Sequence, residues 1–425
     1  MYQGAWVMKK IAVNGGVPLN GKTDLQGSKN SALPIISATV AVCGVSVIHN
    51  CPKLSDVDAA LKILEYIGCR VKREGNTLII DSTSANRWDI PEKLMRSMRS
   101  SIVFLGALLS RFGSASVTSP GGCDIGLRPI DLHLSALSLL GAVINEKGGK
   151  LGCTLPNGAF GGEISLSFPS VGATENIILA SVLAKGETVI TNAAREPEIA
   201  DLAAFLNKCG ARISGAGQSV IRISGVNKLG GAEHTIIPDR IIASTYMACT
   251  ALAGGRIAVD GVNARHISPV IPIFKAAGCS VAVNDNELII EAPKRLSRVR
   301  YIRTMPYPGF PTDSQALIMA MLTKAKGTSV ISEKIFENRF RHVPELVKMG
   351  ADIRVENGCV AVVEGVDRLH GANVSATDLR GGCALIAAAL GAEGRTVISD
   401  IRHIDRGFEN AEQNLSELGA DIKRE

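Results

Sequence analysis

One pattern of apolar and polar positions recurs six times along this chain. Leucines, alanines and isoleucines at helical spacing run up to a glycine, and a short β-branched segment follows. The pattern reads LKILEYIGCRV, LSALSLLGAVI, LAAFLNKCGARI, VIPIFKAAGCSV, VPELVKMGADI and NLSELGADI. Its glycines are Gly68, Gly141, Gly210, Gly278, Gly350 and Gly419, spaced by 73, 69, 68, 72 and 69 residues. Glycine just past the last periodic residue stops a helix, because it enters the left-handed region without strain. A second series alternates with the first: Gly44, Gly113, Gly186, Gly254, Gly327 and Gly394. Each of these follows a helical run, as in ILASVLAKG, and precedes a strand-like stretch, as in ETVIT.

Each repeat therefore predicts two helices, each followed by a strand, with a further strand after a short turn. A lead-in strand such as EISLSF or NVSATD opens it, giving the order βαβαββ six times. The last repeat ends at ADIKRE and lacks its final strand. The segment KIAVNGG resembles the strands found at that point elsewhere, so residues near Ile11–Asn14 are expected to complete it. Six repeats of this size exceed one core, which rarely grows past ~250–300 residues. The expectation is an α/β fold of two domains, each of three βαβαββ repeats. One domain would span 22–237, and the other would join 1–21 to 238–425.

Composition narrows the class. Of 425 residues, 46% are hydrophobic and 20% charged, which excludes intrinsic disorder. Aromatics are 4%, and no Lys/Arg run appears within the net charge of +6, so a nucleic-acid binder is not expected. The longest apolar-leaning stretch, 32–48, is interrupted by Pro34, Ser37, Thr39, Gly44 and Ser46, and no membrane span is expected. Ten cysteines without a CxxC pair read as reduced thiols, and seven histidines show no metal spacing. The amino-terminal MYQGAWVMKK lacks the apolar core of a signal peptide. A cytoplasmic protein without a metal is the expectation.

The repeat register locates the chemistry. The starts of the first helices carry Lys29, Arg99, Arg240, Asp313 and Arg380, and the third has the 170–174 stretch. Helix N-termini expose unpaired N–H groups and favour anions, so a recurring cation there suggests a ligand rather than helix stability. The starts of the second helices are basic too: Lys53, Arg128, Arg195, Arg265, Arg339 with Arg341, and Arg402 with Arg406. The loop SPGGCDIGLRPIDLH, at 119–133, is far longer than its counterpart NAAREPEI. Cys123 sits in it among glycines, with Arg128 nearby, a setting that lowers a thiol pKa.

These segments resemble the enolpyruvyl transferases, and among them the members that accept UDP-N-acetylglucosamine. The resemblance is carried by GSKNSALPI, PGGCDIGLRPIDLH, SVGATENI, NAAREPEI, PTDSQA, FENRFRHVPEL, TDLRGG and HIDRGFE, from about Lys29 to Glu409. It implies an inside-out α/β fold and transfer of the enolpyruvyl group of phosphoenolpyruvate to the sugar 3′-hydroxyl, with release of phosphate, in peptidoglycan synthesis. It implies no cofactor. Cys123 would be the acid of the mobile loop, and Asp313 the base at the acceptor hydroxyl. Lys29, Asn30, Arg128, Arg380 and Arg406 would bind phosphoenolpyruvate. Arg99, Arg128, Pro129, Ile130, Asp131, Leu132, Ser170, Val171, Asp313 and Ile335 would bind the UDP-sugar.

Two positions depart from the family pattern: SFPS lacks a lysine that many members carry before the serine, and Asp124 follows Cys123. The competing readings are a 3-phosphoshikimate-using member and a non-catalytic UDP-sugar binder. The cysteine in GGCDIGLRP argues against the first, and the intact set Lys29, Cys123, Asp313 and Arg406 against the second.

Overall fold

The computed structural model describes residues 9–121, 125–126, 129–284 and 286–425. The chain divides into two compact domains. Among the described residues, the first holds 26–121 and 129–237; the second holds 9–25, 125–126, 238–284 and 286–425.

In the first domain three inner helices lie at the centre: Lys29–Ala38, Phe104–Phe112 and Val171–Ser181. Every residue of Lys29–Ala38 except Asn30 is buried, as expected of a helix whose apolar residues leave no polar face. Close approach is built in. A Cβ on Gly106 would fall 2.4 Å from the Asn176 carbonyl oxygen of the neighbouring inner helix. The Asn176 side chain is itself satisfied there: it accepts from the Gly106 N–H at 2.7 Å and donates to the Ile102 carbonyl at 3.0 Å.

The second domain repeats the plan with inner helices Arg240–Ala253, Thr312–Leu322 and Leu379–Leu390, the last buried along its whole length. Their C-terminal ends meet at Lys324. Its ammonium donates to the Gly391 carbonyl at 2.8 Å and reaches the Leu252 carbonyl at 3.5 Å. A cation is favourable where aligned helix dipoles end. The three N-termini are correspondingly gathered at the opposite pole of this domain.

Among the described residues there are five four-stranded sheets and one of three strands. Strands such as Val220–Ser224 and Arg395–Ser399 alternate exposed and buried positions, so one face of each packs inward. One apolar cluster fills each domain. Ile11–Asn14 lies between Arg395–Ser399 and Asp421–Arg424, antiparallel to both, so the chain's first strand fills the last repeat's sheet.

Two lead-in strands are exchanged. Leu19–Asp24 precedes the first inner helix in sequence but pairs parallel with Gly255–Asp260 of the second domain's sheet. Glu233–Thr235 precedes the fourth inner helix but pairs parallel with Val45–His49 of the first domain. The expected boundary at 21/22 therefore moves to 25/26, past the end of a strand that is in register along its length.

The six helix-stop glycines all take positive φ, from +90° at Gly350 to +106° at Gly68. Gly44 of the second series does not. There the small residue serves a close approach, since a Cβ would lie 2.8 Å from the Gly231 nitrogen.

Candidate active site

In the second domain the N-termini of the inner helices bring charge together. Asp313 is the second residue of Thr312–Leu322. Its Oδ1 accepts from Arg339 at 2.8 Å and lies 3.3 Å from Arg380 Nε. Arg339 and Arg380 are buried, whereas 28% of the Asp313 side chain remains exposed. Burial pushes the Asp313 carboxyl up, but the charges of Arg380 and Arg339, a hydrogen bond from Arg380 and the charge of Arg240 outweigh it. The carboxyl is held well below the usual carboxylate range. Arg240 opens its own inner helix and is buried, with its guanidinium 5.5 Å from the Tyr307 ring centre.

The arginines at these helix starts are reconciled with the local dipole by acidic caps. Asp239 accepts from the Ile241 and Ile242 N–H groups at 2.9 and 3.1 Å. Asp378 accepts from the Arg380 and Gly381 N–H groups at 3.0 and 3.1 Å. Beside them His342 is fully buried, and burial, helped by the charge of Arg339, holds its imidazole at about 4 against an upward pull from Asp378. Ile335 is half-buried, and its N–H donates to Glu333 Oε1 at 2.7 Å. Arg406 is half-buried on the segment after Ile401–His403. Ile125 and Gly126 group with this domain, where the Asn338 N–H donates to the Ile125 carbonyl at 3.0 Å.

In the first domain Lys29 is the first residue of its inner helix, capped by the Ser28 hydroxyl. The ammonium is buried and lies 3.3 Å from Asp56 Oδ2. Asn30 follows, half-buried. Next in sequence, the Ser31 hydroxyl donates to Asp201 Oδ2. Asp201 also accepts from the Ile237 N–H at 3.3 Å and pairs with His234 at 2.9 Å. The helix start is thereby tied to the end of the domain. Ser170 caps the Val171–Ser181 helix by accepting from the Ala173 N–H at 3.3 Å. Arg99 begins the short helical turn Arg99–Val103 and is half-buried. Pro129 and Asp131 are exposed and Ile130 and Leu132 half-buried, at the start of Asp131–Leu139. Cys123 and Arg128 lie outside the described residues.

The two series of cations separate only in part, since Arg99 of the first and Arg406 of the second are both half-buried. At the inner helices Lys29, Arg240 and Arg380 are buried. At the outer starts Lys53, Arg195, Arg265, Arg341 and Arg402 are exposed, and Arg402 pairs with Asp400 at 3.4 Å. Those five fit solvated surface charges. Arg339 of the outer set is buried, and both the register of second-helix starts and the FENRFRH segment pointed to it. The acidic partners Asp56, Asp201 and Glu333 carried no sequence signal, because partnership across the fold has no sequence spacing.

Buried cations at converged helix N-termini, with a carboxylate held ionised between two of them, are an arrangement that can offset the charge of a polyanion and accept a proton. The family profile of EPSP synthase (3-phosphoshikimate 1-carboxyvinyltransferase) matches residues 13–415, and the chain belongs to this family of enolpyruvyl transferases. Within it, the chain is 52% identical over 417 residues to UDP-N-acetylglucosamine 1-carboxyvinyltransferase 2 of Caldanaerobacter subterraneus subsp. tengcongensis, covering 98% of this chain and 100% of that one. It is 49% identical to the UDP-N-acetylglucosamine 1-carboxyvinyltransferase of Finegoldia magna, covering 98% and 99%. In fold it is similar to the enolpyruvyl transferase NikO of Streptomyces tendae, at a TM-score of 0.89 and 24% identity over 98% and 99% of the chains. EPSP synthase of Acinetobacter baumannii aligns at a TM-score of 0.74 and 18% identity over 98% and 100%.

Proposed function

We propose that this protein transfers the enolpyruvyl group of phosphoenolpyruvate to the 3′-hydroxyl of UDP-N-acetylglucosamine, releasing phosphate. The observation that carries this reading is the 52% identity, across 98% of the chain, to a relative named for that activity. The cysteine in the long loop favours it over the shikimate-using branch. The product would feed peptidoglycan synthesis. A cytoplasmic location fits the thiol usage. No helix among the described residues is long and apolar enough to cross a membrane.

The chemistry assigns work to the chain's own groups. A proton is added to the methylene carbon of phosphoenolpyruvate, and the sugar oxygen bonds to its C2. The resulting tetrahedral adduct then loses a methyl proton and expels phosphate, restoring the double bond. The phosphate and carboxylate of the donor require cations, the role proposed for Lys29, Arg128, Arg380 and Arg406, with Asn30 donating beside Lys29. Cys123 is the proposed acid at the methylene carbon.

Asp313 is the proposed acceptor of the hydroxyl proton. A carboxylate held so far below its usual range is a weak base. It suits a proton that leaves late, after bond formation has made the sugar oxygen acidic. Until then it orients the hydroxyl as an acceptor. For the nucleotide sugar, Arg99, the 128–132 stretch, Ser170, Val171 and Ile335 are the proposed contacts. Mass spectrometry of a reaction with both substrates tests the reading: an enolpyruvyl ether of the UDP-sugar is expected, and none would refute it.

A further inference from the structure

Glu333 follows the strand Thr328–Ser332 and is almost wholly buried. Its two carboxylate oxygens take four hydrogen bonds. Oε1 accepts from the Thr304 hydroxyl at 2.8 Å, from the Ile335 N–H at 2.7 Å and from the Phe336 N–H at 3.2 Å. Oε2 accepts from the Thr312 hydroxyl at 2.9 Å. The Thr304 hydroxyl oxygen in turn accepts from the Lys334 N–H at 3.1 Å. Thr312 opens the inner helix immediately before Asp313, and its carbonyl accepts from Arg339 at 3.0 and 3.3 Å. One side chain thus joins the 334–336 loop to the helix start that bears the proposed base.

We propose that Glu333 is a positioning residue for the acceptor substrate. It fixes the backbone at Ile335 and Phe336 against the Asp313 helix start, and so sets affinity for the nucleotide sugar. This rests on the proposed function, in which Ile335 and Asp313 meet the UDP-sugar. Two N–H groups and two hydroxyls converge here, and an acceptor-only group satisfies all four at once. Without it the loop has to be ordered by the ligand, and binding carries that cost. Phosphoenolpyruvate is proposed to be held by other residues, so its affinity should not follow.

The side-chain chemistry gives a discriminating series. Glutamine keeps an oxygen for the two N–H groups, and its amide can donate to Thr312, whose hydroxyl also accepts. Aspartate keeps the charge but is one carbon short. Alanine keeps neither. Full-length Glu333→Ala, Glu333→Asp and Glu333→Gln are compared with wild type by steady-state kinetics in both substrates. Glu333→Ala and Glu333→Asp should raise KM for UDP-N-acetylglucosamine about tenfold or more and change KM for phosphoenolpyruvate less than about twofold. Glu333→Gln should stay within about threefold of wild type in both.

An unchanged UDP-sugar KM in Glu333→Asp, an equal rise in both KM values, or a glutamine variant behaving like alanine would each overturn the proposal. If Glu333→Ala does not fold, the aspartate and glutamine variants decide. If wild type itself does not turn over these substrates, the proposed function fails instead. Amide exchange at Ile335 and Phe336 then decides this inference: faster exchange in Glu333→Asp supports loop fixation, and equal rates refute it.

Discussion

Arg339 donates to Asp313 Oδ1 at 2.8 Å, from a guanidinium that is 3% exposed to a carboxylate that is 28% exposed. The arginine faces the protein and the acid is left partly open. Burial alone would raise the Asp313 carboxyl, yet Arg380 and Arg339 hold it well below its ordinary value. A depressed carboxylate contributes stability above its unfolded value of ~3.9, and that contribution is lost as pH falls through the lower folded value. Asp313 therefore stays ionised wherever the enzyme works. Asp313→Asn should lower kcat by about 10²–10⁴-fold across pH 5.5–9 without moving the acid limb of the pH profile. Disappearance of an acid limb near pH 6 in the variant would show that Asp313 titrates there, contrary to this account.

Lys29 is buried on the first turn of an inner helix, 3.3 Å from Asp56. If its ammonium offsets donor charge, Lys29→Met should cost about 10²–10³-fold in kcat/KM for phosphoenolpyruvate. The folded state should persist, since methionine fills a comparable volume, at a lower melting temperature because buried Asp56 loses a cationic partner. A loss of activity matched by loss of the folded state would mean that Lys29 is structural.

His342 is neutral inside the second domain, held at about 4 against an ordinary value of 6.5. Between those values the unfolded chain binds a proton that the folded chain refuses, so stability falls as pH drops from 6.5 towards 4. The full effect is roughly 3 kcal/mol. Thermal melts from pH 7 to 4.5 should show His342→Leu losing less stability than wild type. Parallel curves would mean that the imidazole is already protonated or does not titrate in this range.

Thiol labelling separates the loop cysteine from the rest. Burial pushes Cys69, Cys153 and Cys279 up to about 11 and Cys209 to about 12. Cys249 is raised further, by burial and by Cys383. Cys43 is the exposed thiol among the described residues and so the real competitor. A limiting dose of iodoacetamide should modify Cys123 before Cys43, read by peptide mass spectrometry. Preferential labelling of Cys43 would leave Cys123 with only ordinary reactivity.

Much of this architecture was legible in the sequence because the repeat is a backbone property. A glycine with φ near +97°, as at Gly278, leaves its mark at the position it occupies, and six such marks set the period. Lys29, Asp313 and Arg380 were visible through the same register, as the start of each first helix. The exchange of Leu19–Asp24 and Glu233–Thr235 was not. Each strand sits in the right sequence slot, and only pairing in space shows whose sheet it joins. Arg339 belongs with Asp313 for the same reason: 26 residues separate them, and only their fold brings guanidinium to carboxylate. Asp56, Asp201 and Glu333 have ordinary surroundings in sequence and gain meaning only from the donors that reach them.

The central claim is tested most directly by phosphate release from phosphoenolpyruvate with each acceptor in turn, for wild type and Cys123→Ala. The account predicts release with UDP-N-acetylglucosamine, none with shikimate 3-phosphate, and a loss of at least about 10²-fold in the variant. Release that required shikimate 3-phosphate and ignored UDP-N-acetylglucosamine would contradict it.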